Sequence, residues 1–113
     1  MPKVTADMSI SLDGYGSGRG QSAEHPFGDI DESLLHAWQF GHRDENAEEA
    51  SAIVTAGAYI MGRNMFGPDR GEWDLEWKGW WGPDPVYHAP VFVLGHRPRP
   101  SVEIEGGTTF HFV

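Results

Sequence analysis

The stretch Ala58-Tyr59-Ile60-Met61-Gly62-Arg63-Asn64-Met65-Phe66-Gly67 predicts how the rest of the chain is organised. Its three consecutive apolar residues, 59–61, are typical of the end of a buried strand. Gly62 allows the backbone to turn, and the next four residues suffice for one helical turn before Gly67-Pro68 ends it. Unpaired backbone N–H groups converge at such a turn, and Arg63 adds a positive charge. The stretch therefore suits a phosphate site, with an ordinary strand-to-helix turn as the alternative.

The bulk composition indicates one small domain, residues 1–113. Of the 113 residues 39% are hydrophobic and 12% aromatic, and the 15 glycines and 8 prolines predict many turns. The formal charge of −9 disfavours binding to nucleic acid or to a membrane surface. The sequence has no cysteine, no apolar run of membrane-spanning length and no signal-peptide pattern at its N-terminus. We therefore expect a cytoplasmic protein.

The N-terminal half is predicted to hold one strand, a long loop and two helices. Residues 3–12 alternate imperfectly, and their apolar members of one parity are Val4, Met8, Ile10 and Leu12. A glycine-rich segment then continues to about Phe27, which suits either a binding loop or a plain connection. One short amphipathic helix is expected after the capping residues 29–33, and a second from Asn46 to about Ala56.

Residues 69–87 have neither strand nor helix periodicity and hold four of the five tryptophans, Trp73, Trp77, Trp80 and Trp81. A tryptophan-rich loop can stack on sugars, bases or other rings, or form a partner surface. The alternative is a loop that folds back onto the core and is anchored by its indoles, because each indole brings a large apolar area that must be buried.

Three strands are predicted after this loop: 90–95, a short edge strand at 102–105, and 108–113 after the Gly106-Gly107 turn. The segment His96-Arg97-Pro98-Arg99-Pro100 is locally basic in an acidic chain. It indicates either a specific anionic ligand or a solvated turn whose arginines pair with the surplus carboxylates. The resulting order, β–loop–α–α–β–turn–loop–β–β–β, is of the α/β class, and open α/β sheets bind ligands just beyond their strand ends.

Motifs of several other catalytic classes are absent. The six histidines show no metal-ligand spacing, and there is no Gly-x-Ser-x-Gly or P-loop sequence. We therefore expect no metal site and no hydrolase or nucleotide-triphosphatase chemistry.

Three blocks together resemble the dihydrofolate-reductase-like fold: Ser9-Ile10-Ser11-Leu12-Asp13-Gly14-Tyr15, Ile60-Met61-Gly62-Arg63 and Val91-Phe92-Val93-Leu94-Gly95-His96-Arg97-Pro98. They are more similar to the branch of the riboflavin-biosynthesis reductase, the C-terminal domain of bifunctional deaminase-reductases. Trp80-Trp81-Gly82 through His88-Ala89-Pro90 also resembles that branch, so the likeness covers essentially the whole chain.

The resemblance implies an α/β domain with a mixed, mostly parallel sheet flanked by helices. It also implies an NADPH-dependent reductase of a small pteridine-like or pyrimidine-like heterocycle. A non-catalytic nucleotide-binding or self-assembling module derived from that fold is the alternative.

The resemblance further implies site residues. Cofactor phosphate would be received by Gly62, Arg63, Asn64 and Met65, and the ribose with its 2′-phosphate by Leu94, Gly95, His96 and Arg97. The nicotinamide and substrate pocket would be lined by Met8, Ser9, Ser11, Asp13 and Gly14. A 2′-phosphate explains why basic residues gather after Leu94, and it favours NADP over NAD. For protonation of the substrate nitrogen the candidates are Asp13 and the acids that precede the first helix, Asp29, Asp31 and Glu32.

The chain departs from the family pattern at its C-terminal end. Family members continue with a helix, a strand, a glycine-rich phosphate-binding turn and further strands, and one of those strands lies between the first strand and the Ile60 strand. We therefore expect the sheet of this chain alone to be incomplete. The chain would then be a fragment of a longer protein, would complete its sheet by forming a homodimer, or would have a rearranged fold. We also expect weak or absent reductase activity from the 113 residues alone.

Overall fold

The computed structural model describes residues 3–31 and 33–113, and the chain forms two compact units, Met1–Ile53 and Val54–Val113. The first unit holds the helices α1 (Ser33–Phe40) and α2 (Ala47–Ala52). The second holds β1 (Tyr59–Gly62), α3 (Arg63–Phe66), β2 (Pro90–Leu94), β3 (Val102–Ile104) and β4 (Thr108–Phe112). The α/β class is confirmed, while the prediction of a single domain over 1–113 stays a prediction.

The second unit contains one open, four-stranded sheet of order β1-β2-β4-β3. β2 pairs in parallel with both β1 and β4, and β3 pairs antiparallel with β4. The predicted mixed, mostly parallel sheet is therefore confirmed, with each strand within about one residue of its predicted bounds. In the register, Gly62 lies opposite Leu94 and Val93 opposite Phe112. The carboxyl ends of β1, β2 and β4 consequently meet at one edge of the sheet.

The core lies on one face of this sheet, because alternate strand residues point to the same side. Phe66 of α3 is fully buried against it, with its ring centroid 5.1 Å from that of Phe110 and 5.0 Å from that of Phe112. The other buried hydrophobic residues of the cluster are Met61, Val91, Val93, Val102 and Phe110. The helical turn predicted at residues 63–66 is therefore present, and its last residue, Phe66, is part of the core.

The tryptophan-rich loop folds back onto the same face. Trp77 Nε1 donates to the Phe66 carbonyl oxygen at 2.8 Å, and Trp73 Nε1 donates to the Arg97 carbonyl oxygen at 2.9 Å. The indole of Trp81 stacks on Phe110, with centroids 5.5 Å apart and an interplanar angle of 20°. Anchoring of the loop by its indoles is therefore confirmed, and these rings are engaged with protein rather than displayed for stacking on a sugar.

The strand predicted at residues 3–12 is wrong, since the structure gives these residues no regular secondary structure. Val4, Met8 and Leu12, which the alternation assigned to a buried face, are 91%, 78% and 108% exposed. All four described strands lie between residues 59 and 112. A strand is stabilised by hydrogen-bonded neighbours, and alternation alone does not supply one.

The two helices of the first unit are present, but neither has a buried residue. α1 has the predicted bounds, whereas α2 ends at Ala52, about four residues early. The β-branched run Ile53-Val54-Thr55 follows, and such residues lose side-chain freedom in a helix. Of the residues described in this unit only Gly28 is buried, so they contain no hydrophobic core of their own.

Candidate functional site

The structure brings together the two strand ends that the sequence singled out. Gly62 and Leu94 are register partners on adjacent parallel strands. A Cβ atom placed on Gly95 would lie 3.9 Å from Cβ of Arg63, so the stem of that arginine runs along the end of β2. The predicted phosphate turn and the predicted 2′-phosphate segment therefore share one edge of one sheet.

The turn has extended backbone at both of its glycines. Gly62 is extended, with φ −79° and ψ 163°, and α3 begins directly after it. The helix is a single turn, closed by the Gly67 N–H donating to the Arg63 carbonyl oxygen at 3.1 Å. Met65 is 56% exposed, whereas Phe66 next to it is fully buried.

Arg63 is stacked on an indole. Its guanidinium carbon lies 3.9 Å from the ring centroid of Trp73, a cation–π geometry. The Nε and Nη2 atoms of Arg63 are buried and have no hydrogen-bond partner. Each unpaired buried donor costs about 1–3 kcal/mol, so this guanidinium retains capacity for an anionic acceptor.

Arg97 is exposed and forms an ion pair with Glu72, whose Oε1 lies 2.5 Å from Nη1. The two side chains are 50% and 88% exposed, and a pair so exposed contributes about 0–1 kcal/mol. The sequence left open whether the arginines of segment 96–100 bind a ligand or pair with surplus carboxylates. Arg97 makes such a pairing, in a form weak enough to be replaced.

Asn64, Leu94 and His96 complete the predicted cofactor set. Asn64 Oδ1 accepts a hydrogen bond from Arg70 Nη1. Leu94 is 51% exposed and His96 is exposed, both at the open end of β2. These three residues therefore lie beside the carboxyl ends of β1 and β2, outside the core.

Arg99 has a different role, which the sequence did not separate from that of Arg97. Its Nη1 donates to the Trp77 carbonyl oxygen at 3.1 Å, and Nη2 lies 3.4 Å from the Leu75 carbonyl oxygen. Its guanidinium carbon lies 4.9 Å from the ring centroid of Phe112. Burial lowers the pKa of Arg99, and the charge of Asp74 opposes that shift. Arg99 thus holds the tryptophan-rich loop in place. The Arg-Pro-Arg-Pro pattern of residues 97–100 does not indicate that role, which is identified by the contacts in the structure.

The predicted substrate-pocket residues lie in the first unit and form a tight local loop. Ser11 N–H donates to the Tyr15 carbonyl oxygen at 2.8 Å, and its hydroxyl donates to Asp13 Oδ1 at 2.5 Å. Gly14, with φ +92°, closes this turn by donating to the Ser11 carbonyl oxygen at 2.9 Å. Ser11, Asp13 and Gly14 are therefore brought together by backbone geometry.

The two remaining pocket residues also have local partners. Ser9 Oγ accepts a hydrogen bond from Trp38 Nε1 at 3.2 Å. A Cβ on Gly16 would lie 2.8 Å from Cε of Met8, so this glycine makes room for the methionine. The loop and α1 are thus linked within the first unit.

Asp31 caps the start of α1. Its Oδ1 accepts the Ser33 N–H at 3.1 Å and the Ser33 hydroxyl at 2.5 Å, and these hydrogen bonds lower the pKa of Asp31. A lowered pKa favours the carboxylate over the neutral acid, which is unfavourable for donating a proton. Asp29 Oδ1 accepts the Arg19 N–H at 2.8 Å, and Glu32 lies outside the described residues.

The part of the chain that the structure describes also bears on metal binding and on membrane insertion. Residues 3–31 and 33–113 contain no group of three or more histidines and acids placed to hold a metal ion. Within the same ranges, no helix is both long and apolar enough to cross a membrane.

No protein-family model matches the chain, and no curated protein matches it.

Proposed function

We propose that this chain is an NADPH-dependent reductase of a small pteridine-like or pyrimidine-like heterocycle, or the N-terminal portion of one. The observation that carries the proposal is the register of β1 and β2, which sets Gly62 against Leu94 and the Arg63 stem against Gly95. The two segments to which the family resemblance assigns the cofactor thus lie side by side. Carboxyl ends of parallel strands are also where α/β sheets bind nucleotides.

The donor set at this edge fits a phosphorylated dinucleotide. Arg63 has two buried N–H donors without a partner, and Arg97 ends in an exposed guanidinium whose pairing is weak. Guanidinium groups match phosphate oxygens in geometry and charge. In the proposal Gly62 to Met65 hold the pyrophosphate, and Leu94 to Arg97 hold the ribose and its 2′-phosphate. The homodimer and the cytoplasmic location stay predictions.

The cofactor would supply the hydride, and the protein would bind and orient it. Of the two proposed acids, Asp13 belongs to the block that resembles the riboflavin-type branch, and Asp31 accepts hydrogen bonds from Ser33. Asp13 itself accepts a hydrogen bond from the Ser11 hydroxyl. A reductase would require this carboxyl, or water that it orients, to deliver a proton to the substrate nitrogen.

The second candidate is a nucleotide-binding module that does not catalyse. Met8, which was expected to line the substrate pocket, is 78% exposed in the first unit, and this exposure favours the binding module. Both candidates require the same nucleotide-binding edge of the sheet.

Titration with NADPH and NADH, followed by tryptophan fluorescence, tests the proposal. We expect a preference for NADPH, and a loss of about 10- to 100-fold in NADPH affinity in Arg97→Ala, since a hydrogen bond to a charged group contributes about 1.5–3 kcal/mol. Lys78→Ala is the matched control, because it removes one exposed positive charge from the same unit. Equal affinity for both nucleotides, or equal losses in the two variants, would contradict the proposal. Steady NADPH oxidation by the 113-residue chain would identify a reductase and would contradict the expectation of weak or absent activity.

A further inference from the structure

One short segment of the tryptophan-rich loop contacts three of the eight predicted cofactor residues. We call residues 70–73 the strap. Arg70 donates to the side chain of Asn64, Glu72 pairs with Arg97, and the Trp73 indole stacks on Arg63. These three partners lie on α3 and just beyond β2, so the strap crosses both strand ends.

Trp73 links the two ends by itself. Its ring is stacked 3.9 Å from the guanidinium carbon of Arg63, while its Nε1 donates to the Arg97 carbonyl oxygen at 2.9 Å. The carboxylate of the preceding residue, Glu72, holds Nη1 of Arg97 at 2.5 Å. A carboxylate at that distance takes the position in which a phosphate oxygen would bind the same guanidinium.

Residues 70–72 of the strap are weakly held, whereas Trp73 packs on the core, with its ring centroid 5.1 Å from that of Phe112 and 6.0 Å from that of Phe66. Arg70, Gly71 and Glu72 are exposed, and Gly71 has φ +83° with nothing within 4 Å of a Cβ atom placed on it. The following residues are fixed by Arg99, which donates to the Trp77 carbonyl oxygen, and by Trp77, which donates to that of Phe66. The carboxylate of Glu72 can therefore leave Arg97 while Trp73 and the base of the loop stay in place.

We propose that the strap is an internal competitor: Glu72 occupies Arg97, and a polyphosphate ligand must displace its carboxylate to bind. This inference rests on the proposed function for the identity of the site, and it adds how access to the site is regulated. Binding exchanges the Glu72 carboxylate for ligand phosphate on Arg97. The free energy of ligand binding is therefore less favourable by the free energy that the displaced strap contact contributes.

The test compares Glu72→Gln with Glu76→Gln in the full chain. Both variants remove one exposed negative charge from the same loop, but only the first removes the partner of Arg97. Inorganic pyrophosphate, NADP⁺ and NAD⁺ are the probes, with affinities measured by calorimetry at low and high salt. We expect Glu72→Gln to bind pyrophosphate and NADP⁺ about two- to fivefold more tightly than Glu76→Gln, the range that an exposed ion pair allows, and the difference to shrink at high salt.

A structural readout accompanies the affinities. The indole N–H resonance of Trp73, identified by its loss in Trp73→Phe, reports the hydrogen bond to Arg97. We expect it to shift when pyrophosphate or NADP⁺ saturates the wild-type chain. If anions bind but the two glutamate variants have equal affinity and the resonance stays in place, the strap inference is overturned while the nucleotide site stands.

Two further results separate this inference from the proposed function. Tighter pyrophosphate binding in Glu72→Gln, together with equal affinities for NADP⁺ and NAD⁺, would support the strap and refute the preference for a 2′-phosphate. Failure of every variant to bind pyrophosphate or NADP⁺ would overturn both.

Discussion

Gly67→Ala is expected to destabilise the second unit by a steric contact with one indole. Gly67 has φ −166° and ψ 166°, an extended conformation that alanine adopts without strain. A Cβ atom at this position would lie 2.6 Å from Nε1 and 3.0 Å from Cδ1 of Trp77. The same Nε1 donates to the Phe66 carbonyl oxygen at 2.8 Å, so the added methyl group must displace a ring that is also a hydrogen-bond donor.

The expected cost follows from these two contacts. Adding a methyl group to a tightly packed position costs about 1–3 kcal/mol, because neighbouring side chains leave their preferred positions. Loss of the hydrogen bond from Trp77 adds about 1 kcal/mol, as the carbonyl of a buried residue loses its partner. We therefore expect the free energy of unfolding to fall by about 2–4 kcal/mol, a large share of the stability of a small domain.

Urea unfolding followed by tryptophan fluorescence measures this change, and Gly62→Ala is the matched control. Gly62 has φ −79° and nothing within 4 Å of a Cβ atom placed on it. Reduced freedom of the unfolded chain favours alanine there by about 0.4–1 kcal/mol, and poorer helix capping opposes that gain. The free energy of unfolding should therefore change by less than about 0.5 kcal/mol in either direction.

A double variant tests the cause. In the Trp77→Phe background the indole nitrogen is absent, so Gly67→Ala should cost at least about 1 kcal/mol less than it does in the wild type. Equal costs in the two backgrounds, or equal effects of Gly67→Ala and Gly62→Ala, would refute the assignment of the cost to the indole of Trp77.

Two pH-dependent predictions follow from shifted pKa values. Burial, with a smaller effect of Tyr59, raises the pKa of Tyr87 to about 12. The unfolded chain then ionises first, so stability should fall as the pH rises from 10.0 toward about 12, and Tyr87→Phe should reduce that fall in urea midpoints. The Ser33 hydrogen bonds lower the pKa of Asp31, so the stability they provide is lost as the pH falls through that lowered value. Ser33→Ala should move the Asp31 pKa back toward 3.8 in an NMR titration, and an unchanged value would exclude Ser33 as the cause.

The fold of the second unit could be predicted because its signals are local. Residues 59–61 and 90–94 are apolar runs that end where a turn begins, and Gly106-Gly107 supplies the positive φ angles of a tight turn. The bounds of β1, α3 and β2 accordingly agree with the sequence. The order of the strands follows from long-range pairing, which the resemblance implied only in outline.

The strand predicted at residues 3–12 shows why periodicity can be insufficient. Alternation states which side chains would be buried if a neighbouring strand were present, and it carries no information about that neighbour. The same applies to α1, whose apolar residues Leu34 and Phe40 remain 81% and 71% exposed although the helix has its predicted bounds.

Three arginines lie near the sheet edge, Arg63, Arg97 and Arg99, and local charge in the sequence is not enough to assign their separate roles. In the sequence they differ only in position, but in the structure their hydrogen bonds and ion pairs differ. Arg99 donates to loop carbonyl oxygens, and Arg97 pairs with an exposed carboxylate 25 residues away. Arg63 stacks on the Trp73 indole with two donors unpaired, whereas Arg99, which lies 5.2 Å from the same ring centroid, has one. A hydrogen-bonded arginine that anchors a loop contributes to stability, whereas a weakly paired or under-satisfied one is available to an anion. Substitution of Arg99 should therefore act through unfolding of the loop, and substitution of Arg97 or Arg63 through binding at the strand edge.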